Sequence, residues 1–386
     1  MVQRIGLVGC GVISDIYLTN AALFRDIIFT ACADARPEAA EARAKAYGIQ
    51  ALTLDALYAS PDVDIVLNLT NPEAHAAVSL KALRSGKHVY TEKPLATRIE
   101  DGRAIVEAAA ARGLRVGSAP DTILGIGVQT ARRMIDDGTV GMPISGVATI
   151  MSRGMEHWHP APAYYFQPGG GPVLDMGPYY IGALVALLGP VARVTAVGRV
   201  GLAERVVTAE GPNAGQRIRP EVPTTIHAIL EFEQGAQITL LASWDVWKHA
   251  HTPIEIHGET ASIRVPDPNF FGGSVDLASD RDDWRANPTS GNRYGVANYP
   301  ADKPVHANYR GLGLAEMANA IENGRPHRVN GEWAFHVLDV MLAILRSAEA
   351  GTAVAVDSRC ERPEALGADE ADALLADWSG DAFRRA

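Results

Sequence analysis

The chain has 386 residues, 47% of them hydrophobic and 21% charged, with a formal net charge of −10 and no long block of lysine and arginine. That length asks for two hydrophobic cores rather than one, and the composition is that of an ordinary globular protein. The charge argues against nucleic acid and anionic membrane as partners, while a small anionic substrate in a local basic pocket remains compatible with it.

Met1-Val2-Gln3-Arg4 leads directly into an apolar run, so no signal peptide is expected. No uninterrupted apolar stretch reaches the length of a membrane span. Cys10, Cys32 and Cys360 are an odd set without a CxxC pair, and the first two fall in apolar runs where cysteine acts as a small hydrophobe. A reduced, cytoplasmic setting is the expectation.

The first third alternates buried-strand patterns with alanine-rich helical ones. Ile5–Gly9, Ile27–Asp34, Asp64–Thr70, His88–Glu92 and Arg115–Ser118 read as strands, and Pro37–Tyr47, Pro72–Ser85 and Arg98–Arg112 as helices between them. That alternation predicts a parallel sheet with crossover helices. Gly48, Gly86 and Gly113 follow three of the helices, where a left-handed residue is wanted.

After about Pro120 the pattern changes. Gly127–Asp137 reads as one more helix, and turn-separated strands follow at Ile144–Ser152, Ala192–Gly201, Thr225–Glu233, Ala236–Asp245, Ile254–His257 and Ala261–Val265. Glu233-Gln234-Gly235-Ala236 is a hairpin turn between two of them. Irregular stretches at Leu202–Val222 and Pro266–Arg310 interrupt this sheet, and the second is long enough to suggest a substrate lid or an oligomer contact. Helices at Leu314–Asn323 and Trp333–Ala350 close the pattern before a charged tail. The expected architecture is an α/β Rossmann domain with a parallel doubly wound sheet over residues 1–121. An α+β domain with a mostly antiparallel open sheet covers residues 122–386.

Gly9-Cys10-Gly11-Val12-Ile13-Ser14 lies between the first strand and a helix. The first glycine permits the tight turn, the second lets backbone approach a pyrophosphate, and the helix N-terminus favours that anion. Ser14 stands where a third glycine is usual. Asp34 ends the second strand, placed to accept from the adenosine ribose hydroxyls, so NAD is favoured over NADP. Arg36 complicates that preference, because a guanidinium there stacks on adenine or holds a phosphate. Thr70-Asn71-Pro72 closes a strand at the ligand-binding edge, and His75 lies one turn into the next helix, as a cofactor contact or as a structural hydrogen-bonding group.

A further strand ends Tyr90-Thr91-Glu92-Lys93-Pro94, which puts an ammonium beside the expected nicotinamide position. Lys93 then stabilises an alkoxide developing during hydride transfer, and Glu92 orients Lys93 or contacts the cofactor. In Gly169-Gly170-Gly171-Pro172-Val173-Leu174-Asp175-Met176-Gly177-Pro178-Tyr179-Tyr180, Pro178 suits a first helical position. Asp175 and Tyr179 therefore meet around a helix N-terminus. The helix dipole and Lys93 both favour the phenolate of a group whose ordinary pKa is about 10. The alternative is that Tyr179 packs in the core and Asp175 caps the helix.

Together, the Gly-Cys-Gly loop, Glu92-Lys93-Pro94 and Asp175-x-x-x-Tyr179 resemble, in order and spacing, the glucose–fructose oxidoreductase, inositol dehydrogenase and MocA family, over nearly the whole chain. The resemblance implies a Rossmann domain, a C-terminal open-sheet domain, tightly held NAD(P), sugar or polyol dehydrogenation, and a homodimer or homotetramer. The catalytic lysine falls on Lys93 and the conserved aspartate on Asp175. Tyr179 stands where many members carry histidine, as in the branch with tyrosine there.

Arg153-Gly154-Met155-Glu156-His157-Trp158-His159-Pro160 follows a strand, and Trp244-Asp245-Val246-Trp247-Lys248-His249-Ala250-His251 ends another. Aromatic, imidazole and basic groups suit a sugar pocket, which selects Arg153, His157, Trp158, Lys248 and His249 as contacts, beside Lys93, Asp175 and Tyr179. The basic cluster also fits an anionic sugar. His157-x-His159 and His249-x-His251 have a spacing compatible with zinc, but no metal is expected, since such pairs are more often ordinary polar contacts. His336 reads as a satisfied core histidine. The leading function is an NAD-dependent dehydrogenase acting on a small carbohydrate. A redox-neutral glycoside-cleaving enzyme uses the same residues, and a non-catalytic dinucleotide sensor would need none of Lys93, Asp175 and Tyr179.

Overall fold

The computed structural model describes residues 2–280, 283–300 and 302–376. Of the charged tail that follows Ala350, residues 377–386 lie outside the described residues. The first sheet is built from β1 (Gln3–Val8), β2 (Ile27–Ala33), β3 (Gln50–Ala51), β4 (Ile65–Asn68), β5 (His88–Thr91) and β6 (Val116–Ser118). All its pairings are parallel, in the order β3-β2-β1-β4-β5-β6. This is the doubly wound arrangement, with its switch point between β1 and β4 and therefore a ligand crevice at their C-terminal ends. The crossovers carry α1 (Ser14–Asn20), α2 (Pro37–Tyr47), α3 (Leu54–Ala59), α4 (His75–Arg84) and α5 (Ile99–Ala110). Gly48, Gly86 and Gly113 all have positive φ, as their place after a helix predicts. The short β3 and α3 carry too few periodic residues to have been foreseen.

A turn at Asp121–Leu124 leads into α6 (Ile126–Asp136) and β7 (Pro143–Met151). Then come α7 (Pro172–Leu188), β8 (Val191–Arg199), β9 (Arg205–Val206), β10 (Arg217–Ile218), β11 (Thr225–Phe232), β12 (Gln237–Ser243), β13 (Ile254–Gly258), β14 (Ala261–Val265) and β15 (Asp276–Ser279). The chain continues through α8 (Leu312–Glu322), α9 (Gly331–Ala350), β16 (Val354–Ala355) and α10 (Ala368–Leu374). The second sheet has the order β15-β14-β13-β7-β12-β11-β8-β16. Its β7–β12 pair is parallel and the other pairs are antiparallel.

One face of this sheet is covered by α7 and α9. In α7, Ile181, Leu184, Val185 and Leu187 are fully buried, each such side chain contributing roughly 1.5–3 kcal/mol. The opposite face leaves Val147, Ile229 and Val197 exposed. α9 also returns to α5 and β6, and the Ser118 N–H donates to the Val329 carbonyl at 3.1 Å. A single buried apolar cluster consequently runs through both sheets.

Three expectations change. α7 begins at Pro172, after Gly171 at φ +92°, and Pro178 lies inside it. Either proline suits a first helical position by sequence; the glycine turn before Pro172 decides, and Pro178 costs one interior hydrogen bond. The stretch 202–222 contains the β9–β10 hairpin, whose Val207, Ala209 and Ile218 form a small second core with Met155, Phe166 and Trp244. The stretch 266–310 is not wholly irregular: it carries β15, Phe271, Tyr294 and Tyr309 are buried within it, and the Tyr309 hydroxyl donates to the Arg293 and Val296 carbonyls at 2.7 and 3.1 Å.

Candidate active site

The glycine loop leaves β1 at the switch point. Gly9 has φ +98°, and a Cβ there would come within 2.7 Å of the Leu69 carbonyl, so only glycine lets the loop pass β4 this closely. Gly11 faces open space, with nothing within 4 Å of a Cβ, and Val12 is 93% exposed. Ser14 turns inward, donating its hydroxyl to the Gly11 carbonyl at 2.6 Å, which closes the loop onto α1. The Asp34 carboxylate accepts from Cys10 N–H at 2.8 Å and from Arg36 N–H at 2.9 Å. It thus sits at the mouth of the loop with further acceptor capacity for a diol. The Arg36 side chain is exposed, its Nε 3.7 Å from Asp34. These features fit a dinucleotide: open space over Gly11, an acceptor at the end of β2, and Thr70, Asn71 and Pro72 on the neighbouring strand end.

His75 takes the structural of its two expected roles. Its ring is fully buried and spans the Pro94 carbonyl at 2.7 Å and the Thr70 carbonyl at 2.9 Å. Burial lowers its pKa. It ties the two loops of the site together rather than presenting a nitrogen to a cofactor. Glu92 has both oxygens engaged by protein, accepting from the Tyr17 hydroxyl and from Lys93 N–H, each at 2.9 Å. It therefore orients the turn that carries Lys93, whose bond to Pro94 is cis.

Lys93 Nζ donates to Asp175 Oδ1 at 2.8 Å and to the Asp175 carbonyl at 2.7 Å, and lies 5.2 Å from the centroid of the Tyr179 ring. Burial alone would lower the ammonium's pKa, but the Asp175 carboxylate outweighs it and holds it above its ordinary value. Asp175 stands in the first turn of α7 and Tyr179 one turn further, a spacing that puts both on one helix face. Lys93 reaches the phenol's ring rather than its hydroxyl. The hydroxyl instead accepts from Arg310 Nη2 at 3.4 Å.

Arg310 was not foreseen. It comes from the long 266–310 stretch and is steadied by the Asn269 and Asn308 side-chain oxygens at 3.0 and 3.1 Å. It forms no ion pair among the described residues, although burial is outweighed by the surrounding anionic groups so that its pKa is raised. Beneath it, Asp121 accepts from Gly311 and Gly313 N–H at 2.9 and 3.0 Å and is 1% exposed. Burial pushes the Asp121 carboxyl up to about 6. No sequence motif marks Arg310; two asparagines and an arginine in a long irregular stretch are the whole signal.

β7 and β12 run parallel as neighbours, so the segments following them emerge at one sheet edge. Val246 N–H donates to the Ser152 carbonyl at 3.0 Å, and the Arg153 guanidinium lies over the Trp247 ring. The two segments are thereby joined, but no hydrogen bond or ion pair among the described residues links Arg153, His157, Trp158, Lys248 or His249 to Lys93, Asp175 or Tyr179. Trp158, Lys248 and His249 are exposed. His157 is engaged by protein groups: its Nδ1 meets Thr208 at 2.6 Å and its Nε2 lies 3.3 Å from Glu156. Glu156 itself is buried against Arg205, which also pairs with Asp245. His157 therefore belongs to the bracing of this wall. No group of three or more His, Cys, Asp or Glu residues able to hold a metal occurs among the described residues, and His249 stacks on His251. His336 is satisfied, accepting from Val191 N–H at 3.0 Å and facing Ser358 at 2.9 Å.

Residues 3–119 match the model of the oxidoreductase family with an NAD-binding Rossmann fold, and residues 128–264 match the GFO/IDH/MocA C-terminal domain. A 1,5-anhydro-D-fructose reductase of Ensifer adhaerens is 26% identical over 365 residues, 92% of this chain and 99% of its own length. A dTDP-3,4-didehydro-2,6-dideoxy-α-D-glucose 3-reductase of Streptomyces violaceoruber is 30% identical over 277 residues, 68% of this chain and 78% of that protein. In fold, a levoglucosan dehydrogenase solved with NADH superposes with a TM-score of 0.79 at 22% identity, covering 93% of this chain and all of the other.

Proposed function

The chain belongs to the GFO/IDH/MocA family of oxidoreductases, and from that premise we propose that it is an NAD-dependent dehydrogenase of a sugar or polyol hydroxyl. The observation that carries this reading is the Lys93–Asp175–Tyr179 cluster at the C-terminal edge of the parallel sheet. Bound at Gly9, Gly11, Asp34 and Thr70–Pro72, the dinucleotide would exchange a hydride with the carbinol carbon. Relatives with reductase and dehydrogenase names acting on sugars or inositols support the substrate class.

Of the three donors on an ammonium, Lys93 spends two on Asp175. The third is left for the reacting oxygen, where it stabilises negative charge as the C–O bond changes order. Asp175 is engaged in holding that ammonium. We therefore assign it to positioning, and assign to Tyr179 the acceptance of the hydroxyl proton. Arg310 donates to the phenolic oxygen and so helps fix where that oxygen stands. Asp34 lies where a 2′-phosphate would meet its carboxylate, which supports NAD over NADP. The uncovered sheet face with Val147, Ile229 and Val197 supports self-association to a dimer or tetramer.

The test is NADH absorbance across free sugars, polyols, uronates and simple glycosides, with Lys93→Ala as control. Reduction of NAD by one class, abolished in the variant, is the expected result. Aglycone release without net NADH would replace this reading with redox-neutral glycoside cleavage, and binding of NAD with neither reaction would leave a sensor.

A further inference from the structure

The chain between β7 and α7 carries a row of aromatic rings that no catalytic step uses. Trp158 meets His159 edge-on at 5.4 Å between centroids, His159 meets Tyr165 at 5.3 Å, and Tyr165 stacks on Tyr164 at 4.0 Å and 30°. The row has a dry back and a wet front. Behind it, Phe166 and Trp244 are buried, with Trp244 edge-on to Tyr165 at 6.0 Å. In front, Trp158 is 63% and Tyr164 49% exposed.

Its inner end abuts the reacting groups. Gly171 N–H donates to the Tyr165 carbonyl at 2.7 Å, and Asp175 N–H in turn donates to the Gly171 carbonyl at 3.1 Å. Burial raises the Tyr165 phenol's pKa, and the charge of Asp175 adds to that. From Tyr165 the row continues by two ring steps, to His159 at 5.3 Å and from His159 to Trp158 at 5.4 Å.

The mount is rigid. Glu156 supplies its carbonyl to Thr208 and Ala209 N–H at 2.9 and 3.0 Å, its carboxylate pairs with Arg205 at 2.6 Å, and Asn213 donates to the Pro160 carbonyl at 2.7 Å. Large aromatic faces fixed in advance, interleaved with an imidazole and phenol hydroxyls, match the C–H faces and hydroxyls of a sugar ring. The row is tied through the Tyr165 carbonyl to the turn that carries Asp175, so an extended substrate held at Lys93 fits it better than a second copy of the chain.

We propose that Trp158, His159 and Tyr164 form a second sugar subsite, and that the substrate is a disaccharide or glycoside whose reacting ring lies at Lys93 while its neighbouring ring stacks on this row. The inference rests on the dehydrogenase reading above. The test compares kcat/KM for NADH formation with matched monosaccharides and their disaccharides, in the native enzyme, Trp158→Ala and Tyr164→Ala. Calorimetric titration of both sugar types into the NADH-saturated enzyme measures binding without turnover. The expected result is a preference for disaccharides whose ratio to the monosaccharide falls up to about tenfold in Trp158→Ala, the loss of one aromatic contact. Equal kcat/KM for both sugar types, unmoved by either substitution, overturns the subsite and leaves the dehydrogenase standing. Failure of every sugar to bind or react overturns both. A change of oligomeric state in Trp158→Ala would assign the row to contact between copies and overturn the subsite as well.

Discussion

Replacing Arg310 by glutamine removes a cation that touches the Tyr179 hydroxyl. The contact is 3.4 Å long, and the same guanidinium is held by Asn269 and Asn308 at 3.0 and 3.1 Å. A hydrogen bond to a charged group contributes about 1.5–3 kcal/mol, and this length places the contact at the lower end. A loss of about 1.5 kcal/mol predicts roughly a tenfold fall in kcat/KM, borne by kcat if the contact acts on proton transfer. Arg310→Lys, which keeps the charge but not the planar fork, should recover part of it. The assay is initial-rate NADH formation with the fastest sugar, run as a double-mutant cycle with Tyr179→Phe. If Arg310 acts through the phenolic oxygen, the double variant is no slower than Tyr179→Phe alone. Independent, multiplying losses would refute the link between the two residues.

The two loop glycines should separate folding from cofactor approach. Gly9→Ala meets the Leu69 carbonyl at a positive φ and should destabilise the fold by about 1–3 kcal/mol, seen as a lower Tm, while also weakening NAD binding. Gly11→Ala meets nothing and should leave Tm in place while weakening NAD in calorimetric titration; equal Tm losses would contradict the loop geometry. In a urea series, Asp121 should tilt stability with pH. Its folded pKa of about 6 lies above the ordinary carboxyl value, so its contribution is full below about pH 4 and is lost as pH rises through 6, about 3 kcal/mol at most. Asp121→Asn should remove that slope, and an unchanged slope would exclude Asp121 as its source. His327 and His336 act on the other side: burial pushes each down to about 4, so their contribution is present above the ordinary histidine value and fades as pH falls through 4.

The nucleotide half was legible because its signals are local. A tight turn needs Gly9, a sheet edge needs an acceptor such as Asp34, and buried parallel strands read as short apolar runs whatever surrounds them. Lys93, Asp175 and Tyr179 were likewise readable, each sitting at a strand end or on one helix turn. The errors arose where two local solutions were equally good. Pro172 and Pro178 both suit a helix start, and what His75 and His157 face is decided by the Pro94 carbonyl and the Thr208 hydroxyl, which arrive from elsewhere in the chain.

By itself, then, the sequence determined which strands alternate with which helices, where the dinucleotide loop lies, and that an ammonium, a carboxylate and a phenol share one neighbourhood. Tertiary structure alone decided what each of them touches. Arg310 reaches Tyr179 across 131 positions, and Lys93 reaches Asp175 across 82. The 202–222 hairpin braces the aromatic row from behind. Such contacts depend on how two sheets and their covering helices pack, and packing is set by the sum of many weak apolar contacts rather than by any residue near the site.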